Sequence, residues 1–144
     1  MKQALWLEQF IKVYSELGTR DFEVLNSIYH PDVEFKDPMH RIIGSDHLID
    51  YFESIYTNVN SCQFDIHRVI ESEDEAALYW NMSYQHKKLN GGKTIVVEGH
   101  SHLIAKDGLV IFHRDYLDAG AMVYEHVPLL GSVIRSIKNR MSDV

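Results

Sequence analysis

Cysteine is nearly absent, since Cys62 is the only one. That excludes an internal disulfide and any multi-cysteine zinc centre. Proline occurs only at Pro31, Pro38 and Pro128, so each one marks a stop. No apolar run approaches the roughly 20 residues that cross a bilayer. The opening MKQALWLEQF carries Glu8 where a signal peptide needs an unbroken apolar stretch. The expectation is a cytoplasmic protein with no membrane partner. Positive charge is in deficit: 14 Lys and Arg stand against 21 Asp and Glu, for a net charge of −7. Such a chain repels nucleic acid and anionic lipid, and no nucleic-acid partner is expected. Phosphate-cradling glycine loops and a serine nucleophile elbow are missing too, because Gly91-Gly92 falls in a turn signal. Among nine histidines only His100 and His102 share a strand face; His40, His47 and His86 have no ligand spacing. No metal and no cofactor are expected.

What is present is an ordered succession of two periodicities. The 144 residues have the size of one domain, 1–144, with a core over 4–118 and an extension over 119–144. Residues 4–17 place Leu5, Trp6, Phe10, Val13, Tyr14 and Leu17 at helical spacing, with Gly18 as the stop. A second short helix fits Asp21 to Tyr29, with Asp21 as cap, ended by His30-Pro31-Asp32. Val33 to Lys36 reads as a strand. Gly44-Ser45-Asp46 introduces a third helix bearing Leu48, Ile49, Phe52, Ile55 and Tyr56, with Ser45 or Asp46 available to cap it. From Cys62 the period becomes two, over Cys62–Glu71, Ala76–Lys87, Lys93–Lys106 and Leu109–Asp118. The breaks Glu73-Asp74-Glu75, Asn90-Gly91-Gly92 and Lys106-Asp107-Gly108 are turn signals, which makes the four strands an antiparallel meander. A last helix follows Pro128, with Leu130, Val133, Ile134 and Ile137 on one side. Arg135, Lys138 and Arg140 near it form a solvated face or a partner patch. Its amphipathic character fits packing on a second copy or over a cavity mouth, with membrane-surface association as the alternative. This order defines an α+β fold in which helices cover one face of a curved sheet.

Side-chain parity orients that sheet. Ala76, Leu78, Trp80, Met82, Tyr84 and His86 form the more apolar set on one strand, and Ile95, Val97, Gly99, Ser101, Leu103 and Ala105 on the next. Both sets should face the helices, which leaves His100 and His102 outside. The final strand is undecided between Leu109, Ile111, His113, Asp115, Leu117 and the set Val110, Phe112, Arg114, Tyr116, Asp118. An inward His113 and Asp115 would need partners, because burying such groups bare costs several kcal/mol. Asp37, in VEFKDPMHRIIG, is either a turn residue or a carboxylate held over a cavity.

Phe10-Ile11-Lys12-Val13-Tyr14 with Arg20-Asp21-Phe22, the strand end Phe35-Lys36-Asp37-Pro38, Gly44-Ser45-Asp46-His47-Leu48 and KDGLVIFHRDYLD at 106–118 together resemble SnoaL-like domains. These belong to the nuclear transport factor 2-like superfamily, with the ketosteroid isomerases. The resemblance covers nearly all of residues 4–118. It implies a cone-shaped, curved antiparallel sheet covered by N-terminal helices (a cystatin-like α+β roll) and a pocket on the concave face. It implies a proton-shuttling carboxylate at Asp37 and an oxyanion-binding tyrosine at Tyr14. It also implies Ser101 where ketosteroid isomerases carry an acid, Trp80, Met82 and Tyr84 in the pocket, and Asp115 as the acid/base of SnoaL-like cyclases with His113 beside it. The expected catalytic residues are therefore Asp37, Asp115, His113 and Tyr14, and the expected substrate contacts Trp80, Met82, Tyr84 and Ser101.

These expectations lead to a pocket for a small, largely apolar or carbonyl-containing organic ligand. Cofactor-free proton transfer next to a carbonyl (isomerisation, cyclisation or dehydration) is the catalytic form, and a non-catalytic binding or dimerisation module is the alternative. A homodimer through the convex sheet face is implied by the resemblance.

Overall fold

In the computed structural model, which describes residues 2–127 and 130–142, a six-stranded curved sheet carries its helices on one face. The elements are α1 (Leu5–Glu16), β1 (Tyr29–Lys36), β2 (Arg41–Ile43), α2 (Ser45–Ile55), β3 (Val59–Ser72), β4 (Glu75–His86), β5 (Ile95–Lys106), β6 (Leu109–Leu117), α3 (Ala119–Met122) and α4 (Leu130–Ser142). Strand order is β2-β1-β6-β5-β4-β3. The meander β3-β4-β5-β6 is antiparallel as expected, β1 pairs antiparallel with β2, and β1 runs parallel to β6. That parallel pairing sets Phe35 beside His113 across the full length of the meander.

Several local expectations are corrected. The segment read as a second helix is a short 3-10 turn, Phe22–Ser27, and Tyr29 already belongs to β1. Pro31 does not stop an element; it lies within this strand, where the register shifts between Tyr29 and Glu34 and a missing N–H is tolerated. Asp21 and α2 gain no side-chain caps, and Gly44 takes the N-cap position at φ 95°, a conformation open to glycine. On α1 it is Leu7, not Leu5, that is buried with Phe10, Val13 and Tyr14. Pro128, expected to introduce the last helix, lies outside the described residues. α4 is tied down by its polar side: Lys138 Nζ reaches Asp118 and Glu125 at 2.6 and 3.0 Å, and Arg135 donates to the Glu125 carbonyl. Its Leu130, Val133, Ile137 and Met141 stay exposed. The Lys138 ammonium holds the Asp118 carboxyl below its usual range.

β4 and β5 keep an unbroken register, and their buried faces are the expected ones. β6 follows neither candidate parity. Lys106 and Ala105 pair with Leu109 and Val110, but Ile104 pairs with Phe112, so Ile111 is an extra residue. This bulge lets Val110 face the core and, after it, His113 face the core as well, although the two are an odd number of residues apart. β3 contains two similar shifts, at Val59/Ser61 and Ile66/Arg68, where a bulged strand bends and twists more strongly. Among the described residues no helix is long and apolar enough to cross a membrane.

Candidate active site

Between the concave sheet face, α1, α2 and α3 lies a cavity of about 380 Å³. Its size falls within the ~300–1,000 Å³ usual for small-molecule sites. Tyr14, Asp37, Trp80, Met82, Tyr84 and Asp115 all line it, together with Tyr51, which the sequence did not single out. A narrow extension of about 10 Å³ continues inward past Trp80 to Ser101 and His113. A polar cleft of about 400 Å³ near Arg20 and Lys87 is built by loops and strand ends and shares only Tyr56 and Val59 with the apolar cavity.

Asp37 is both things its sequence allowed. The chain turns at Asp37–His40 between β1 and β2, and Asp37 Oδ1 accepts the backbone N–H groups of Met39 and His40 at 2.9 and 2.7 Å. Oδ2 meanwhile points to the cavity rim and accepts the hydroxyl of Tyr51. His40 Nδ1 lies 3.1 Å from the same hydroxyl. Three donors thus hold this carboxylate, and one lone pair, on Oδ2, is left to take a proton. Burial and the Asp37 carboxylate push the Tyr51 phenol far up, so Tyr51 remains a donor.

Asp115 stands at the other end of a continuous buried chain of hydrogen bonds. Its Oδ1 accepts from Ser101 Oγ at 2.5 Å and lies 2.5 Å from His113 Nε2. Trp80 Nε1 donates to Ser101 Oγ at 2.9 Å. On the far side of the imidazole, His113 Nδ1 lies 2.7 Å from the Tyr29 hydroxyl, and that hydroxyl lies 2.6 Å from the Tyr14 hydroxyl. An ionised carboxylate only accepts, so His113 gives its Nε2–H to Asp115 and a neutral ring has a bare Nδ1. Tyr29 therefore donates to Nδ1, and Tyr14 donates to Tyr29. Asp115 Oδ2 takes no hydrogen bond among the described residues, and Asp115 is 19% exposed, against 2% for His113. The rings of Phe10, Tyr14, Tyr29 and Phe35 surround the imidazole at centroid distances of 4.9–6.2 Å and keep water out. Burial pushes the phenols of Tyr14 and Tyr29 far up, and both remain protonated.

Two expected roles change on this geometry. Ser101, expected as a substrate contact, gives its hydrogen to Asp115 and receives one from Trp80, so it supports the carboxylate. The Tyr84 ring lines the cavity, but its hydroxyl donates to the Met122 carbonyl and fastens α3 over the opening. Trp80 lies over Gly99, its cross-strand partner: a Cβ there would sit 2.4 Å from the indole. Tyr29 escaped the sequence reading because it was placed in a helix. Tyr51 carried a usable signal, sitting one turn after Leu48 and one before Ile55 on α2.

The model of the SnoaL-like domain matches residues 8–113. The chain belongs to the SnoaL-like domain family. No match is found among the curated proteins. Solved structures resemble it at the level of the fold. One is a candidate SnoaL-like polyketide cyclase from Jannaschia sp. CCS1, 14% identical, with a TM-score of 0.73 over 85% of this chain and 94% of that one. Another is a hypothetical protein with a ketosteroid isomerase-like fold from Catenulispora acidiphila, in complex with trimethylamine. It is 10% identical, with a TM-score of 0.74 over 88% and 96% of the two chains. A third, TerC co-crystallised with polyporic acid, is 19% identical, with a TM-score of 0.72 over 83% and 95%.

Proposed function

We propose that this protein catalyses cofactor-free proton transfer at a carbon next to a carbonyl in a small, largely apolar organic substrate, as an isomerase, cyclase or dehydratase. One observation carries the reading: Asp115 lines an apolar cavity, with Oδ1 fixed by His113 and Ser101 and Oδ2 without a hydrogen bond among the described residues. A base held this way is oriented before the substrate arrives, and such a group typically supplies roughly 10²–10⁴-fold in rate. Asp37 and Tyr51, on the same cavity, form a second acid/base pair that can return a proton elsewhere on the substrate. Tyr14, which lines the same cavity, offers a hydroxyl for the developing enolate oxygen. The ligands named in the neighbouring structures, trimethylamine and polyporic acid, fit the idea of a small-molecule cavity.

The test is deuterium exchange. A panel of cyclic ketones and 1,3-diketones is incubated with the protein in D₂O, and exchange next to the carbonyl is followed by NMR. Wild type should exchange at least one compound, and Asp115→Asn should lose about 10²-fold or more of that rate. Equal rates in both proteins would overturn the reading.

The engagement of Ser101, Tyr84 and Asp37 in internal hydrogen bonds favours a second reading, a non-catalytic binding module. Native mass spectrometry showing a co-purified molecule that never turns over would support it. A homodimer through the convex face is part of the proposal. Asn81 Oδ1 and His100 Nδ1 on that face are buried without partners among the described residues, where the His100 ring stacks on Tyr116 and lies tilted against Tyr79. A monomer in the same mass spectrum would remove it. A cytoplasmic setting fits the free Cys62.

A further inference from the structure

The chain from Asp115 to Tyr14 can run in only two directions, and the direction decides what the cavity meets. With a neutral imidazole every donor points toward Asp115, and Tyr14 presents a lone pair. An anionic oxygen arriving at Tyr14 needs the hydrogen instead. Tyr14 cannot simply turn it outward, because the two phenolic oxygens, 2.6 Å apart, would then face each other with no hydrogen between them. Tyr29 must supply that hydrogen, and it can do so only when His113 Nδ1 no longer accepts it. Nε2 already carries a hydrogen for Asp115, so Nδ1 stops accepting only when the ring takes up a proton.

We propose that Tyr29 is a positioning residue that couples the two ends of this chain: the site binds an enolate- or phenolate-type oxygen at Tyr14 together with one proton held by the His113–Asp115 pair. The inference rests on the reading of the cavity as an enolate site and adds the charge state of its ligand. One N–H bond is formed, at His113 Nδ1, with a proton taken from the solvent; no bond to the ligand is made or broken, and the hydroxyl hydrogens of Tyr29 and Tyr14 change direction. The ionisable and polar groups that face His113 are Tyr14 from α1, Tyr29 from β1, Asp115 from β6 and, through Asp115, Ser101 from β5. None of these is a cation that would oppose the added charge. Phe10 and Phe35 complete the surroundings. Charge thus enters the dry interior as a neutral sum, anion with proton, which avoids the cost of burying either alone.

The probe is pentafluorophenolate, used at a pH where the phenol is wholly ionised. Calorimetric titrations in two buffers of different ionisation heat count the protons taken up with it. Wild type should take up about one proton per site, and Tyr29→Phe, with the link cut, close to none while still binding the probe. Nitrogen-15 NMR of the wild type checks the same point without a variant. The histidine whose signals vanish in His113→Gln should carry hydrogen on Nε2 alone when free and on both nitrogens with the probe bound. Binding without proton uptake, or a free ring already bearing Nδ1–H, would overturn the coupling and leave the proposed activity standing. Failure of the probe to bind either protein would overturn both.

Discussion

The two carboxylates of the cavity differ in how much of each is already spoken for. Asp37 accepts two backbone N–H groups and the Tyr51 hydroxyl, so its side chain shapes the β1–β2 turn as well as facing the ligand. Asp37→Asn can keep the Oδ1 acceptor only by setting its NH2 group against the Tyr51 hydroxyl. It should lower exchange by about tenfold and should also lower the melting temperature, whereas Asp115→Asn should act mainly on rate. A melting curve beside the exchange assay separates the two. Cys62 offers a second contrast. Burial pushes its thiol up to about 11, although the Tyr56 hydroxyl 3.6 Å away draws it back somewhat. The thiolate is the reactive form, so native protein should resist an aromatic disulfide reagent at neutral pH and react once unfolded. Prompt labelling of the native protein would contradict this placement.

At the scale of elements, β4 and β5 hold the cavity wall through one large residue opposite one small one. Gly99→Ala would drive a methyl group into the Trp80 indole, and Trp80 would have to leave Ser101 Oγ or shift the strand. Overpacking of this kind typically costs about 1–3 kcal/mol. The expected result is a lower melting temperature with a changed tryptophan emission, read against Trp6 as the internal reference. The same two strands show where sequence was informative. Their period of two is unbroken over residues 76–84 and 95–105, so alternation alone assigned Trp80, Met82 and Tyr84 to the inner face. In β3 and β6 an extra residue breaks the alternation, and no parity rule could follow it. Tyr29 was hidden for another reason. Its role depends on β1 lying parallel to β6, a pairing between residues 78 to 81 positions apart that local pattern does not encode. Asp115 was named through family likeness, but its freedom to act is visible only in the hydrogen bonds it makes.

For the molecule as a whole, tyrosine burial sets an alkaline limit. Five of the eight tyrosines, Tyr14, Tyr29, Tyr51, Tyr56 and Tyr84, have phenols pushed up by burial, Tyr84 to about 12. In the unfolded chain they would ionise near about 10. A folded value above the unfolded one means stability that is complete below about pH 10 and is lost as pH rises toward the folded values. For the fully buried Tyr14 and Tyr29 the loss approaches about 1.4 kcal/mol each per pH unit. Phenolate absorbance should therefore rise cooperatively with loss of circular dichroism, not ahead of it. Early ionisation of these residues in folded protein would show that the interior is wetter than described.

The extra residue at Ile111 acts on β6 as a shift of reading frame acts on a message. Upstream of it the strand is written for the core beneath the Asp107-Gly108 turn; downstream it is written for the cavity. A β6 that kept Ile111 but paired without the bulge from Val110 onward would hold the same side chains, yet it would turn Arg114 and Tyr116 inward and send His113 and Asp115 to the outer face. The cavity's chemistry is thus specified by the register of one strand as much as by the identity of its residues.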